Sequence, residues 1–195
     1  QQGTLLSEAD EPTVRCTPLR HRVPAYDSRS YPTPLAGRSA LDRARSLGIP
    51  PGPVYGQLKR GESVTLEDGR VIDGTTLCGP ERPGVSVMIC TDTVFCDAAV
   101  ELARGVDLLI HESTFAHAEA EMAFQKQHST STMAAQTAAE AGVGQLAITH
   151  LSPRYVPGNP VSPDDLLKEA QAIFPNTVLA KDFLSLDVKP CCNSS

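Results

Sequence analysis

From residue 85 onward the sequence alternates short, continuous apolar runs with amphipathic stretches of helical period, and each run ends on a polar residue. Runs of this length between turn signals read as buried strands of a largely parallel sheet, which helices must then cover. Strands are expected at 85–90, 106–110 and 146–149, and helices at 98–104, 119–127, 132–141 and 164–174. Gly142 closes the third of these helices, and Ser162 with Pro163 opens the fourth. Two more strands are expected at 177–180 and 183–188. The fold class is therefore α/β, a sheet with helices packed on its face.

Upstream, the signals change character. Residues 1–13 are polar, acidic and aperiodic, and read as a linker or the cut edge of a domain. A short strand starts near Val14 and ends at His21, with Pro24 stopping regular pairing. Residues 39–47 read as a short helix capped by Ser39 and stopped by Gly48. The Pro- and Gly-rich segment 48–53 is expected to be a fixed loop, and 63–66 and 70–72 flank the hairpin signal Glu67-Asp68-Gly69.

A chain of 195 residues with 41% hydrophobic content supports one ordinary core, so one domain or a large part of one is expected. The net charge of −6 is not that of a general nucleic-acid binder. Charge is unevenly placed, however: Arg15, Arg20, Arg22, Arg29, Arg38, Arg43, Arg45, Lys59 and Arg60 face only Asp27 and Asp42, so this stretch is locally cationic. No run of 18 apolar residues and no signal-peptide pattern occurs, which reads as a soluble, cytoplasmic protein without membrane association. The six Cys show no C-x-x-C pairing and read as reduced thiols, neither a disulfide framework nor zinc ligands.

Asp92, His111 and His150 each stand where an apolar run stops. Strand ends in layered α/β folds share one rim, and backbone pairing holds the side chains there within the tolerance a metal demands. A polar residue at any one of these positions could equally cap the next helix; three in succession favour a site. An aspartate can bridge two ions, with imidazoles terminating each, and such a pair activates water for attack on phosphorus. His128 precedes Ser129-Thr130-Ser131-Thr132 and is either a helix-entry residue or a proton donor to a leaving oxygen, with Glu112 holding its ring. His117 reads as an ordinary surface residue. These features point to a metal-dependent phosphodiesterase.

Gly48-Ile49-Pro50-Pro51-Gly52-Pro53-Val54-Tyr55-Gly56-Gln57-Leu58-Lys59-Arg60-Gly61, Thr91-Asp92-Thr93, His111-Glu112-Ser113-Thr114-Phe115, His128-Ser129-Thr130 and Thr149-His150-Leu151-Ser152-Pro153-Arg154-Tyr155 together resemble ribonuclease Z, the tRNA 3′-end endonuclease of the metallo-β-lactamase fold. The resemblance runs from about Leu19 to Val188. It implies an αββα sandwich, of which residues 14–195 would form the C-terminal part. It also implies that His21 is a ligand of a first Zn2+, Asp92 a bridging ligand and His150 a ligand of a second Zn2+, with Mn2+ suited to the same donors. By the same likeness His128 assists the leaving group with Glu112 beside it, and residues 22–60 contact precursor tRNA in a homodimer. The product would be a tRNA ending in a 3′-hydroxyl after the discriminator nucleotide.

The departures from the family pattern are specific. The H-x-H-x-D-H motif, which supplies the remaining ligands and a general-base aspartate, does not occur among the five His of this sequence. A chain truncated at its N-terminus is the expected reason. Such a chain would keep an unpaired sheet edge and an uncovered apolar face, fold poorly, bind metal weakly and not turn over alone. Thr91 stands where the family has Gly, and Ser113 where it has Ala. Two other classes fit the same residues: a phosphodiesterase of this fold acting on small cyclic or nucleotide diesters, and a non-catalytic pseudo-enzyme partner.

Overall fold

The apolar runs become strands and the amphipathic stretches become helices on one side of them. A computed structural model describes residues 4–5, 13–18, 26–31, 41–49, 51–77, 84–156 and 158–190. In chain order its elements are β1 (Thr4–Leu5), β2 (Thr13–Pro18), β3 (Tyr26–Tyr31), α1 (Leu41–Ser46), α2 (Val54–Lys59), β4 (Ser63–Thr65), β5 (Val71–Asp73), β6 (Val87–Cys90), α3 (Asp97–Ala103), β7 (Leu108–Glu112), α4 (Ala120–Lys126), α5 (Ser131–Ala141), β8 (Gln145–Thr149), α6 (Pro163–Gln171) and β9 (Thr177–Leu179). They group into two compact units, one of residues 1–32 with 85–195 and one of residues 33–84.

The first unit holds a seven-stranded sheet in the order β1-β2-β3-β6-β7-β8-β9. Strands β6 to β9 run parallel, while β1, β2 and β3 add antiparallel at one side. Met88, Leu109 and Leu146 lie side by side in register, so their side chains share one face. All three are fully buried, against Ala99 and Val100 of α3, Ala134, Ala135 and Ala138 of α5 and Ala170 of α6. Alanine in α5 lets that helix approach the sheet closely, which explains why its sequence is alanine-rich rather than leucine-rich. The opposite face carries Ile89, which is 46% exposed.

Local chemistry fixes the helix ends. The Thr130 hydroxyl accepts from the Met133 amide at the start of α5, and Gly142 closes that helix at φ 61°. A reciprocal Ser162–Asp165 capping box opens α6. Those hydrogen bonds hold the Asp165 carboxyl down, at about 2. The Arg29 guanidinium donates to the carbonyls of Leu102 and Arg104, satisfying the otherwise open end of α3.

The second unit packs α1, α2 and the β4–β5 hairpin around Ala44, Ile49, Leu58 and Leu77. Gly74 is required here, since a Cβ at that position would sit 2.5 Å from the Leu58 carbonyl oxygen.

Four elements differ from the sequence expectation. β1 forms within residues 1–13, where the sequence carries no strand signal, by pairing Thr4 with Cys16 and Leu5 with Arg15 of β2. β3 forms in Tyr-Asp-Ser-Arg-Ser-Tyr, whose inward positions are Asp27 and Arg29 and so carry no apolar alternation. α2 forms directly after the Pro- and Gly-rich loop, its interior Gly56 having masked the helical signal. The strand expected at 183–188 is absent: Phe183 adopts φ 64° with its side chain wholly exposed, and the segment pairs with no described strand. His21, Pro24, Ser39 and Cys78 lie outside the described residues. No helix among the described residues is long and apolar enough to cross a membrane.

Candidate metal centre

The parallel strands bring four of the expected residues to one rim. Asp92 follows β6, Glu112 ends β7, His150 follows β8, and His128 sits in the turn between α4 and α5. Asp92 (φ 27°) and His150 (φ 56°) both take left-handed backbone conformations, as does Gln127 (φ 60°) immediately before His128. Such geometry is uncommon outside glycine, although Asp and His adopt it more readily than most residues. At Gln127 it is the ordinary left-handed close of α4, whereas at Asp92 and His150 the surrounding structure holds the backbone in a sparsely populated conformation.

One ligand atom from each of Asp92, His128 and His150 lies within 4.8 Å of the others. Asp92 Oδ1 is 3.6 Å from His150 Nε2 and 3.8 Å from His128 Nδ1. The side chain of His150 is 54% exposed and that of Asp92 39%, so the cluster opens to solvent.

Beneath it lies Glu112, buried to 1% exposure. Its Oε1 accepts from the Thr93 amide (3.1 Å), the Ser129 amide (2.9 Å) and His128 Nδ1–H (2.9 Å). Its Oε2 accepts from the amide (3.0 Å) and hydroxyl (2.7 Å) of Thr114. Five donors around one buried carboxylate offset its desolvation and tie three segments of chain together. Ser129 adds a further link, its hydroxyl donating to the Thr93 carbonyl at 2.6 Å. The loop after His150 is fixed by Arg154, which bonds Glu119 and lies 5.3 Å over the Phe115 ring, and by Tyr155, whose hydroxyl accepts from the Ala116 amide and donates to Glu119.

Among the expected site residues, Asp92, His128, His150 and Glu112 meet, whereas His21 lies outside the described residues. His111 does not join them. Strand alternation turns its ring to the face opposite Glu112, where it is fully buried with Nδ1 2.6 Å from the Glu112 carbonyl oxygen and no partner for Nε2 among the described residues. Burial there pushes its imidazole down, toward the neutral form. The described thiols of Cys16, Cys90 and Cys96 are free and none belongs to the cluster. Thr114 is the residue that the sequence reading passed over. Its hydroxyl reaches Glu112, His150 Nδ1 (2.9 Å) and the His150 carbonyl (3.1 Å), and its only sequence signal is its place in His111-Glu112-Ser113-Thr114.

The rim of Asp and His stands at the carboxyl ends of parallel strands in an α/β protein, and solved structures agree on the fold. The chain is similar to a metallo-beta-lactamase fold protein from Bacillus subtilis at 22% identity and TM-score 0.57, over 93% of this chain and 51% of that one. It is similar to the short form of human tRNase Z at 22% identity and TM-score 0.55, over 96% of this chain and 48% of that one. The fold is that of the metallo-β-lactamases. No family model matches the chain. Over its whole length it is 92% identical to a ribonuclease Z of Parasynechococcus marenigrum and 69% identical to one of Prochlorococcus marinus. The chain matches part of those ribonuclease Z proteins and spans 61% of the length of each.

Proposed function

We propose that the chain is part of a metal-dependent endoribonuclease that removes the 3′ trailer from precursor tRNA and leaves a 3′-hydroxyl. The observation that carries this reading is the convergence of Asp92, His128 and His150 above the buried Glu112. The names of the relatives, and the likeness to human tRNase Z, support the same reaction and substrate.

The donor set, a carboxylate and imidazoles with ligand atoms within 4.8 Å, fits a divalent cation of zinc type. Asp92 and His150 would hold it together with His21, the remaining ligands of a two-ion site belonging to the H-x-H-x-D-H motif that this sequence lacks, and manganese suits the same donors. When bound, the ions supply Lewis acidity toward the phosphoryl oxygens.

The chain's own residues then have distinct tasks. Glu112 accepts the Nδ1–H of His128 and fixes the plane of the ring. From that position His128 gives a proton to the 3′ oxygen of the tRNA as a water oxygen adds to phosphorus and the bond from the 3′ oxygen to phosphorus breaks, and the phosphate stays on the trailer. The cationic segment 22–60, most of which belongs to the unit 33–84, is the tRNA-contacting part, working through phosphate and shape rather than base identity. The working form is a cytoplasmic homodimer.

The test uses a protein of the length of the relatives that carries this chain, offered precursor tRNA and a small chromogenic phosphodiester. Expected is trailer removal that falls by about 10²- to 10⁴-fold in His128→Ala with bound metal unchanged. Cleavage of the small diester alone would make it a different phosphodiesterase of this fold. An empty, inactive protein would make it a pseudo-enzyme. Loss of metal in His128→Ala would move His128 from proton donor to ligand.

A further inference from the structure

The hydrogen atoms around Thr114 can be assigned one by one. A hydroxyl has a single hydrogen and two lone pairs. Within reach of Thr114 Oγ1 lie Glu112 Oε2 at 2.7 Å, His150 Nδ1 at 2.9 Å, the His150 carbonyl oxygen at 3.1 Å and His128 Nδ1 at 3.4 Å. The carboxylate and the carbonyl can only accept, so they take the hydroxyl hydrogen, the shorter contact being to Glu112. The Nδ1 hydrogen of His128 is already directed at Glu112 Oε1, 2.9 Å away. Thr114 therefore has no hydrogen left for His150, and the 2.9 Å contact requires His150 Nδ1 to be the donor.

We infer that Thr114 is a positioning residue that holds His150 in its Nδ1–H tautomer. A neutral imidazole carries one N–H, so this leaves Nε2 as a bare lone pair. Nε2 is the nitrogen that lies 3.6 Å from Asp92 Oδ1, on the open side of the cluster. A half-exposed imidazole in water favours the opposite, Nε2–H form, which would direct a hydrogen at the cation site. Thr114 also joins the two halves of the centre: the carboxylate that orients His128 receives its hydrogen, and the ring of His150 gives it one. The same arrangement, a second nitrogen anchored by a fixed acceptor, orients metal-binding histidines in general and tunes their basicity. The consequence for metal affinity rests on the proposed metal site; the tautomer does not.

The test is nitrogen-15 NMR of the histidine side chains in a metal-free protein of the relatives' length that carries this chain, at a pH where His150 is neutral, with zinc affinity measured on the same samples. Wild type and Thr114→Ser are expected to show Nδ1–H at His150. Thr114→Val, equal in shape but without the hydroxyl, is expected to shift toward Nε2–H and to bind zinc about 10- to 100-fold more weakly. A merely structural role for Thr114 would not move the tautomer. Nε2–H at His150 in the wild type overturns the inference, as does a Thr114→Val protein that keeps both tautomer and affinity. If Thr114→Val does not fold, the wild-type and Thr114→Ser spectra decide it. If the wild type shows Nδ1–H yet binds no zinc, the tautomer assignment stands and the metal reading fails.

Discussion

His128 and His150 stack, with ring centroids 5.6 Å apart and planes inclined by 26°. Neither ring holds the other in place; each is anchored from below, His128 by Glu112 and His150 by Thr114, which itself leans on Glu112. Glu112 is thus the common support. In Glu112→Gln an amide NH2 replaces one of two oxygens that each face only donors, leaving unmet either the Thr114 amide or the Thr93 and Ser129 amides. Each unmet group costs about 1–3 kcal/mol. Urea denaturation is expected to show a loss of that order, together with a changed His128 side-chain NMR signal. An unchanged midpoint would mean that the carboxylate is not the support it looks to be.

Asp27 gives the fold a specific pH dependence. Its carboxyl is fully buried beside Cys90 and the Thr91 backbone, and desolvation pushes it up to about 7 from an ordinary 3.8. The folded chain therefore binds this proton more tightly than the unfolded chain does. Stability from this group is fully present below pH 3.8, declines as pH rises toward about 7, and is level above that. The separation corresponds to roughly 4 kcal/mol. Asp27→Asn is expected to gain on wild type progressively across that window in urea denaturation. Parallel pH profiles for the two proteins would assign the effect elsewhere.

The start of α5 rests on one hydroxyl. Thr130→Ala removes the acceptor for the Met133 amide and is expected to cost about 1 kcal/mol, while Thr130→Ser keeps it. The comparison of the two thermal midpoints reads this directly. Because His128 lies two residues before that cap, Thr130→Ala is also expected to broaden its NMR signal.

The second half of the fold was legible because its physics is local. Apolar runs at 85–90, 106–110 and 146–149 each became a buried parallel strand within a residue or two of expectation. β3 was not legible, since its inward side chains are Asp27 and Arg29, and Arg29 is satisfied by carbonyls at the end of α3 that no local pattern records. The terminal run 183–188 shows the converse error: an apolar stretch without a neighbouring strand to pair with stays irregular. At the candidate site, motif order singled out Asp92, His128, His150 and Glu112, which the fold brings together. His111 was grouped with them by its place at a strand end, but the two-residue alternation of β7 sends it to the core. Thr114 escaped notice because its role depends on two hydrogen-bond directions that exist only once β7 and β8 are paired.

Competition titration with zinc of a metal-free protein of the relatives' length that carries this chain, in wild type and in Asp92→Ala, bears most directly on the claim that Asp92 and His150 hold a cation beside His128. The account predicts that wild type takes up zinc and that Asp92→Ala loses it with an unaltered circular dichroism spectrum. Equal uptake by the two proteins, or none by wild type, would contradict it.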